Sequence, residues 1–168
     1  MNAFPIVMTL IRQYTPADAV AVIDAILPIQ QSEFGIPITL EAQPDLLNIP
    51  SFYQHGSGGF WVAETGGAIV GTIALLDIGN RQAALRKMFV SQSYRGAGHG
   101  VAGHLLDTLL EWSRLHGIDE VYLGTTDAFV AAHRFYEKNG FTELNRGELP
   151  PAFPVMAVDT RFYVRSLR

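Results

Sequence analysis

A glycine-rich segment in the middle of the chain has the residue types that bind a phosphate. It reads Arg95-Gly-Ala-Gly-His-Gly100, follows a β-leaning apolar run that ends at Val90, and opens a long amphipathic segment. The first amides of a helix have no carbonyl partner within the helix and lie at the positive end of its dipole. Glycine lets an anion approach these amides, and arginine adds a forked cationic donor. The pattern predicts a strand, an anion-binding loop and a helix, with a pyrophosphate as a suitable ligand.

Two other kinds of nucleotide-binding loop have similar glycines. A nucleoside triphosphatase loop needs Lys followed by Ser or Thr after its last glycine, whereas Gly100 is followed by Val-Ala. The segment from Gly98 to Gly103 matches the dinucleotide-binding fingerprint, and an Asp-Glu pair follows about twenty residues later. That fingerprint belongs at the first strand-helix crossover of a parallel sheet, but several predicted strands precede this loop with no helices between them. A nicotinamide-dependent reductase is therefore the weaker alternative.

A second segment with chemical potential, Phe135-Tyr-Glu-Lys-Asn-Gly-Phe141, follows thirty-odd residues after the loop. The loop matches the Arg/Gln-x-x-Gly-x-Gly/Ala signature of the GNAT superfamily of acetyl-CoA-dependent N-acetyltransferases. The later segment resembles the second signature of that family, a helix end carrying Tyr-Glu-Lys before Gly-Phe. The resemblance runs from about Phe60 to Phe141. It implies a three-layer α/β (α+β) domain whose central mixed, splayed β-sheet is flanked by helices.

The resemblance also implies roles for individual residues. An acetyl group would pass directly from acetyl-CoA to a primary amine of a small molecule or peptide. Tyr136 is expected to be the general acid, since a phenol with an ordinary pKa of about 10 can protonate a departing thiolate; a tyrosine buried for packing alone is the alternative. The backbone of three strand residues would bind pantetheine and polarise the thioester: Met88, Phe89 and Val90. Six loop residues would hold the pyrophosphate: Arg95, Gly96, Ala97, Gly98, His99 and Gly100.

Two positions depart from the family pattern. Many relatives carry Asn seven residues before the tyrosine and Glu two residues before the Arg86 position, and here these residues are Phe129 and Ala84. A non-catalytic acyl-CoA-binding sensor or regulatory module therefore stays open as an alternative to an enzyme. The general base is unassigned: either the amine arrives partly neutral, or the base is one of four candidates, Glu33, His55, Glu64 and Asp77.

The acceptor pocket is expected to involve residues 29–59, which are polar, aromatic and interrupted by prolines, as ligand-handling connections often are. Glu33 from this region and Arg86 are the predicted substrate-binding residues. Arg86 and Lys87 are neighbours on a predicted strand, so their side chains are expected on opposite faces of the sheet. One of them facing the pocket would favour an amine that carries a carboxylate, such as an amino acid or small peptide; two ordinary surface charges are the alternative.

The elements that position these residues follow from hydrophobic periodicity and turn residues. A short helix near 39–49 is predicted to be interrupted by Pro44, and residues 147–154 are predicted to form a loop. In the first helix the expected buried stripe is Val20, Ile23 and Leu27. Strands are predicted at 7–13, 60–64, 68–78, 82–90, 120–124, 141–144 and 155–164. Helices are predicted at 16–27, 98–116 and 128–138.

Composition narrows the class of protein. The 168 residues are expected to form one domain, 1–168. The composition, with 48% hydrophobic and 17% charged residues, is typical of a globular fold. The net charge of -4 argues against nucleic acid. The chain has no cysteine and no helically spaced histidine pair, so no metal is expected. No apolar run is long enough to span a membrane, and a cytoplasmic protein is expected. A homodimer stays open as an alternative to a monomer.

Overall fold

The computed structural model describes residues 8–96, 98 and 100–168, and its centre is a seven-stranded sheet. The strand order is β1-β2-β3-β4-β5-β7-β6. Neighbouring strands run antiparallel except β4 and β5, which are parallel. The strands are β1 (Thr9–Gln13), β2 (Gly59–Thr65), β3 (Ala68–Gly79), β4 (Gln82–Val90), β5 (Glu120–Thr125), β6 (Thr142–Leu144) and β7 (Arg161–Ser166). This mixed, helix-flanked sheet confirms the predicted fold class.

Helices cover both faces of the sheet. They are α1 (Ala19–Pro28), α2 (Pro44–Leu47), α3 (Ile49–Tyr53), α4 (Val101–Leu115) and α5 (Val130–Lys138). One face, here called the α4 face, packs residues such as Ile73 and Leu123 against α4 and α5. The other, here called the α1 face, packs Ala74 against α1 to α3 and Tyr122 against the segment before β7. No helix within the described residues is long and apolar enough to cross a membrane.

The sheet opens between its two parallel strands. The β4–β5 ladder runs from the pair Gln82–Glu120 to the pair Ala84–Tyr122. Beyond that point β4 continues to Val90 and β5 to Thr125 without further pairing to each other. The backbone edge of β4 after Ala84 therefore has amides and carbonyls that β5 does not satisfy, and a ligand in the gap can use them.

A β-bulge in β4 changes which side chains face which layer. Thr72 pairs with Phe89 and Ala74 pairs with Arg86, so the register shifts between them. Lys87 has a φ of 51°, in the left-handed region that side chains rarely adopt. The Thr72 hydroxyl donates a 2.7 Å hydrogen bond to the Lys87 carbonyl and holds this conformation.

The bulge overturns the expectation that Arg86 and Lys87 lie on opposite faces. Simple alternation fails because one extra residue in β4 is accommodated against β3. Both cationic side chains lie on the α1 face, where they contact residues of α2 and α3. Met88 instead packs into the core of the α4 face, and Phe89 into that of the α1 face.

Two further elements differ from the sequence predictions. The closing strand begins at Arg161 rather than 155, because the Asp159 side chain accepts a 2.9 Å hydrogen bond from the Met156 amide and closes a turn. In α1 the buried residues are Val22 and Ile26, whereas Val20 is 72% exposed. Because α1 is apolar nearly all round, its composition does not select one stripe.

Candidate active site

A cavity of about 890 Å³ lies where β4 and β5 part. Its walls come from the start of α4, from α5, from both strands of the gap and from residues 153–159, so it reaches both faces of the sheet. Most lining side chains are apolar, with a few polar and charged groups among them. Such a cavity, concave and apolar with convergent polar groups, is typical of a ligand site.

The start of α4 forms one end of this cavity. Gly100 precedes the helix with a φ of 66°, and Ala102 and Gly103 in the first turn line the cavity. A Cβ atom added at Gly96 or Gly98 would meet nothing within 4 Å, so an anion has room to approach the helix amides. Two residues of the predicted loop, Ala97 and His99, lie outside the described residues. The remaining loop residues have the open backbone that a pyrophosphate site requires.

Arg95 binds both the end of β4 and the segment that follows α1. Its Nε donates a 2.8 Å hydrogen bond to the Val90 carbonyl, and its two terminal nitrogens both bind the Glu33 carboxylate, Nη2 at 2.6 Å from Oε1. The guanidinium also lies 5.8 Å from the ring centre of Phe34. Arg95 lowers the pKa of Glu33. Glu33, predicted to bind substrate, thus contacts the loop arginine and is not part of the cavity wall.

The three β4 residues predicted to bind pantetheine border the gap. Met88, Phe89 and Val90 line the cavity, and they belong to the stretch of β4 that has no pairing to β5. The bulge at Lys87 shifts the register of these residues against β3, within the part of β4 that has no pairing to β5.

Tyr136 reaches the same cavity from α5. Its side chain is 5% exposed and packs against the rings of Phe141 and Tyr163, with ring centres 5.5 and 6.1 Å away. Burial raises the pKa of Tyr136 above its ordinary value, so the phenol carries its proton across the physiological range. No described residue hydrogen-bonds to its hydroxyl. The geometry therefore leaves the proton of Tyr136 available to a ligand in the cavity.

Phe129 lies seven residues before Tyr136, at the position where the resemblance to the family implied an Asn. Its ring packs edge-on against Phe34 at 4.6 Å and Phe89 at 6.3 Å. The Phe129 side chain therefore contributes shape to the cavity wall and no hydrogen bond.

The opposite end of the cavity carries two buried cations that share one carboxylate. The Lys87 side chain is 7% exposed; its Nζ lies 2.6 Å from Gln43 Oε1 and 3.5 Å from Asp45 Oδ2. The same Asp45 oxygen accepts a 2.6 Å hydrogen bond from the Tyr53 hydroxyl. Burial lowers the pKa of Lys87, although Asp45 opposes the shift.

Arg86 is the less well compensated cation of the pair. Its side chain is 13% exposed, and its nearest carboxylate oxygen, on Asp45, is 3.8 Å away. Its other contacts are weak acceptors: the Met156 sulfur at 3.6 Å and the faces of Phe52 and Tyr53 at 5.6 and 5.9 Å. A guanidinium with five donors and no close acceptor anion can bind a carboxylate of a ligand.

None of the four candidate bases lines the cavity. Glu33 binds Arg95, Glu64 lies 2.9 Å from an Arg12 nitrogen, and Asp77 accepts hydrogen bonds from the Ser57 and Gly79 amides. His55 is exposed in the turn after α3. The only carboxylate that lines the cavity, within the described residues, is Asp159. Its sequence context gave no signal, because the alternating apolar pattern around it predicted a strand.

Metal binding finds no support in the described part of the chain. There, no group of three or more histidine, cysteine, aspartate or glutamate side chains is placed to hold an ion. The groups that line the cavity include the start of α4, the unpaired edge of β4, the buried phenol of Tyr136 and the largely buried guanidinium of Arg86.

Comparison with solved structures identifies the architecture. An acetyltransferase of the GNAT family from Staphylococcus aureus Mu50 superposes with a TM-score of 0.92 at 42% identity, covering 95% of this chain and 99% of that chain. N-acetylglutamate synthase from Neisseria gonorrhoeae, crystallised with coenzyme A and N-acetyl-glutamate, superposes with a TM-score of 0.75 at 20% identity, covering all of this chain and 36% of that one. The second match shows a shared fold alone.

Curated relatives match a little more than half of the chain. N-acetyltransferase family 8 member 2 of Rattus norvegicus is 36% identical over 104 residues, which are 59% of this chain and 45% of the relative. N-acetylaspartate synthetase of Xenopus tropicalis is 38% identical over 101 residues, 58% of this chain and 36% of the relative. The chain thus spans less than half the length of either protein.

The family itself is defined by the match to a family model. The Acetyltransferase (GNAT) family model matches residues 23–141, more than half of the chain, and includes the glycine-rich loop, the open edge of β4 and α5. Together with the near-complete superposition on the staphylococcal acetyltransferase, this match establishes that the chain belongs to the GNAT acetyltransferase family.

Proposed function

We propose that this chain is an N-acetyltransferase that moves an acetyl group from acetyl-CoA directly to the primary amine of a small carboxylate-bearing molecule or peptide. The observation that carries the proposal is the single cavity through the β4–β5 gap, which joins the start of α4 on one face to Arg86 on the other. A thioester and an amine entering from opposite faces would meet inside the sheet.

The donor end suits coenzyme A. The first-turn amides of α4 and the open space at Gly98 fit a pyrophosphate, and the unpaired edge of β4 from Met88 to Val90 fits the pantetheine amides. Arg95 lies beside the loop with its charge paired to Glu33 and its Nε bound to the Val90 carbonyl, so a pyrophosphate would share this guanidinium with Glu33. The fold neighbour from Neisseria gonorrhoeae was crystallised with coenzyme A, which agrees with this assignment.

The transfer requires a proton for the departing thiolate, and Tyr136 is the proposed donor. It is protonated at neutral pH, as an ordinary tyrosine is, and burial raises its pKa further. Its hydroxyl has no described protein partner to displace. As the C–S bond breaks, the phenol gives its proton to sulfur, and the proton that nitrogen loses in forming the amide restores the phenol. No covalent intermediate with the protein is needed.

The acceptor end favours an amine that also carries a carboxylate. The Arg86 side chain is 13% exposed on the α1 face and its nearest carboxylate oxygen is 3.8 Å away, so a substrate carboxylate would supply a closer anion. The name of one matched relative, N-acetylaspartate synthetase, refers to a product of this class, in support of the assignment.

Thiol release from acetyl-CoA, measured with paired amines, tests the proposal. We expect turnover with amino acids or short peptides and much weaker turnover with the matching decarboxylated amines or carboxyl esters. Binding of CoA without thiol release in any pair would instead indicate an acyl-CoA sensor. Tight binding of a nicotinamide dinucleotide with indifference to CoA would refute the acetyltransferase assignment.

A further inference from the structure

The Asp159 carboxylate lines the cavity but has no role in the transfer described above. The segment that carries it is fixed to β5, because the Thr160 amide donates a 2.8 Å hydrogen bond to the Thr125 carbonyl. The Asp159 side chain accepts a 2.9 Å hydrogen bond from the Met156 amide, and the Asp159 amide donates to the Met156 carbonyl at 3.0 Å. These contacts hold the carboxylate in one place, as a catalytic group requires.

The carboxylate lies directly over Gly124 of β5. A Cβ atom at Gly124 would be 2.5 Å from Asp159 Oδ2 and 2.7 Å from its carboxyl carbon. Glycine at this position therefore gives the carboxylate the space that any other residue would fill. Gly124 is two residues beyond Tyr122, the last β5 residue in the ladder with β4, so Asp159 stands at the opening of the gap.

Asp159 and Tyr136 approach the gap from opposite faces of the sheet. Alternation along β5 places Gly124 on the α1 face with Tyr122, which packs beside Phe153 in the segment before β7. Tyr136 belongs to the core of the α4 face. An amine arriving from the Arg86 side would pass Asp159 before it meets a thioester on the Tyr136 side.

The charges around Asp159 leave it free to exchange a proton. Arg86 and Lys87 of β4 and Arg146, which follows β6, favour the ionised form of Asp159. The carboxylate nearest to both β4 cations is that of Asp45, 3.8 Å from Arg86 and 3.5 Å from Lys87. Glu143, Glu148 and Arg161 line an adjoining recess that Asp159 also borders. Burial outweighs these cations and raises the pKa of Asp159 above that of an ordinary aspartate, which makes the carboxylate a better proton acceptor.

We infer that Asp159 is the general base of the reaction, an inference that rests on the proposed acetyl transfer. Its carboxylate takes one proton from the substrate ammonium and leaves a neutral amine. The nitrogen lone pair then forms the C–N bond at the thioester carbonyl while the C–S bond breaks and sulfur takes the Tyr136 proton. The nitrogen then loses a second proton, which reprotonates the Tyr136 phenolate. Asp159 releases its proton to water, so each turnover yields amide, free thiol and one proton.

Asp159→Asn tests this role with little disturbance of the loop, because the Asn carbonyl oxygen can still accept from the Met156 amide. We expect kcat/KM for the amine to fall at least 100-fold at pH 7, with CoA affinity unchanged. The deficit should shrink as pH rises toward the pKa of the amine, where the substrate becomes neutral without a base. The control is Asp77→Asn, since Asp77 is also a half-buried carboxylate that accepts backbone hydrogen bonds but lies outside the cavity. Its two oxygens bind two amides, so this variant loses one backbone hydrogen bond and disturbs its surroundings more than Asp159→Asn does; it should still keep wild-type activity.

Gly124→Ala provides a second variant that leaves Asp159 chemically intact. The added methyl must push the carboxylate aside, so kcat should fall while CoA affinity stays within about twofold. If the wild-type chain transfers acetyl groups and Asp159→Asn retains its rate and pH profile, Asp159 is not the base, and the proposed function stands. If the wild-type chain acetylates no carboxylate-bearing amine, the proposed function fails first. A rate loss in Asp159→Asn that is equal at every pH would assign Asp159 a structural role and overturn the inference.

Discussion

Replacing Tyr136 with Phe removes the proposed proton donor and leaves the packing of the fold intact. The variant removes one oxygen and keeps the ring that packs against Phe141 and Tyr163. Because no described residue hydrogen-bonds to that hydroxyl, the change breaks no protein hydrogen bond and relieves the burial of a polar group. We expect the free energy of unfolding to stay within about 1 kcal/mol of wild type or to rise.

Catalysis should respond very differently from stability. A positioned general acid typically contributes 10²–10⁴-fold to a rate, and water in the cavity can replace part of that contribution. We therefore expect kcat to fall on the order of tenfold to a hundredfold or more, a rise of about 1.4 to 2.7 kcal/mol or more in the activation free energy. The affinity for CoA should stay nearly unchanged, since the anion-binding loop lies elsewhere in the cavity.

The assay is thiol release under saturating acetyl-CoA and amine, with CoA affinity measured by calorimetry and stability by thermal unfolding. Tyr163→Phe is the matched control: Tyr163 is fully buried in the same aromatic cluster, and its hydroxyl has no partner in the described chain. It should unfold like Tyr136→Phe and keep the wild-type kcat. An unchanged kcat in Tyr136→Phe, or an equal loss in both variants, would remove Tyr136 from the mechanism.

Three further predictions concern the donor loop, the acceptor end and the fold. Gly98→Val should abolish CoA binding in calorimetry with little change in thermal stability, because its side chain would occupy open space needed by the phosphate. Normal CoA binding by this variant would show that the loop is not the phosphate site. Arg86→Met should raise KM for carboxylate-bearing amines roughly 10- to 100-fold, the loss of one charged hydrogen bond, and leave decarboxylated amines unaffected; an equal effect on both classes would contradict a carboxylate site. Asp18→Asn should lower the free energy of unfolding at pH 7 by about 2 kcal/mol, since Arg12 lowers the pKa of Asp18 from 3.8 to about 2. That stabilisation is present above pH 3.8 and is lost as pH falls to about 2, so wild type and variant should converge there in acid denaturation.

Much of the framework was predictable because local pattern and tertiary environment agree. The strand at 82–90 has the predicted bounds, and α4 (Val101–Leu115) lies within the predicted helix 98–116. The glycine-rich loop and Tyr136 were identified through family motifs, and the structure brings both to one cavity. Periodicity works for α4 because one apolar face packs against one face of the sheet. The strand at 82–90 is recognisable as an apolar run that ends before polar turn residues.

The acceptor side was not predictable, because long-range contacts determine it. The bulge at Lys87 depends on pairing with β3 and on the hydroxyl of Thr72, fifteen residues away. Asp159 sits in a segment whose alternation is typical of a strand, yet Met156 and Val158 line a cavity there in place of a sheet face. Local sequence patterns predict neither the gap between β4 and β5 nor the side chains that border it.

A crystal structure with bound coenzyme A tests the central claim most directly. We expect the pyrophosphate at the first-turn amides of α4, around Val101 to Gly103, and the pantetheine along the β4 edge from Met88 to Val90, with the sulfur in the gap within reach of the Tyr136 hydroxyl. Coenzyme A bound at another surface, or a helix start closed by the protein's own side chains while CoA binds elsewhere, would contradict the account.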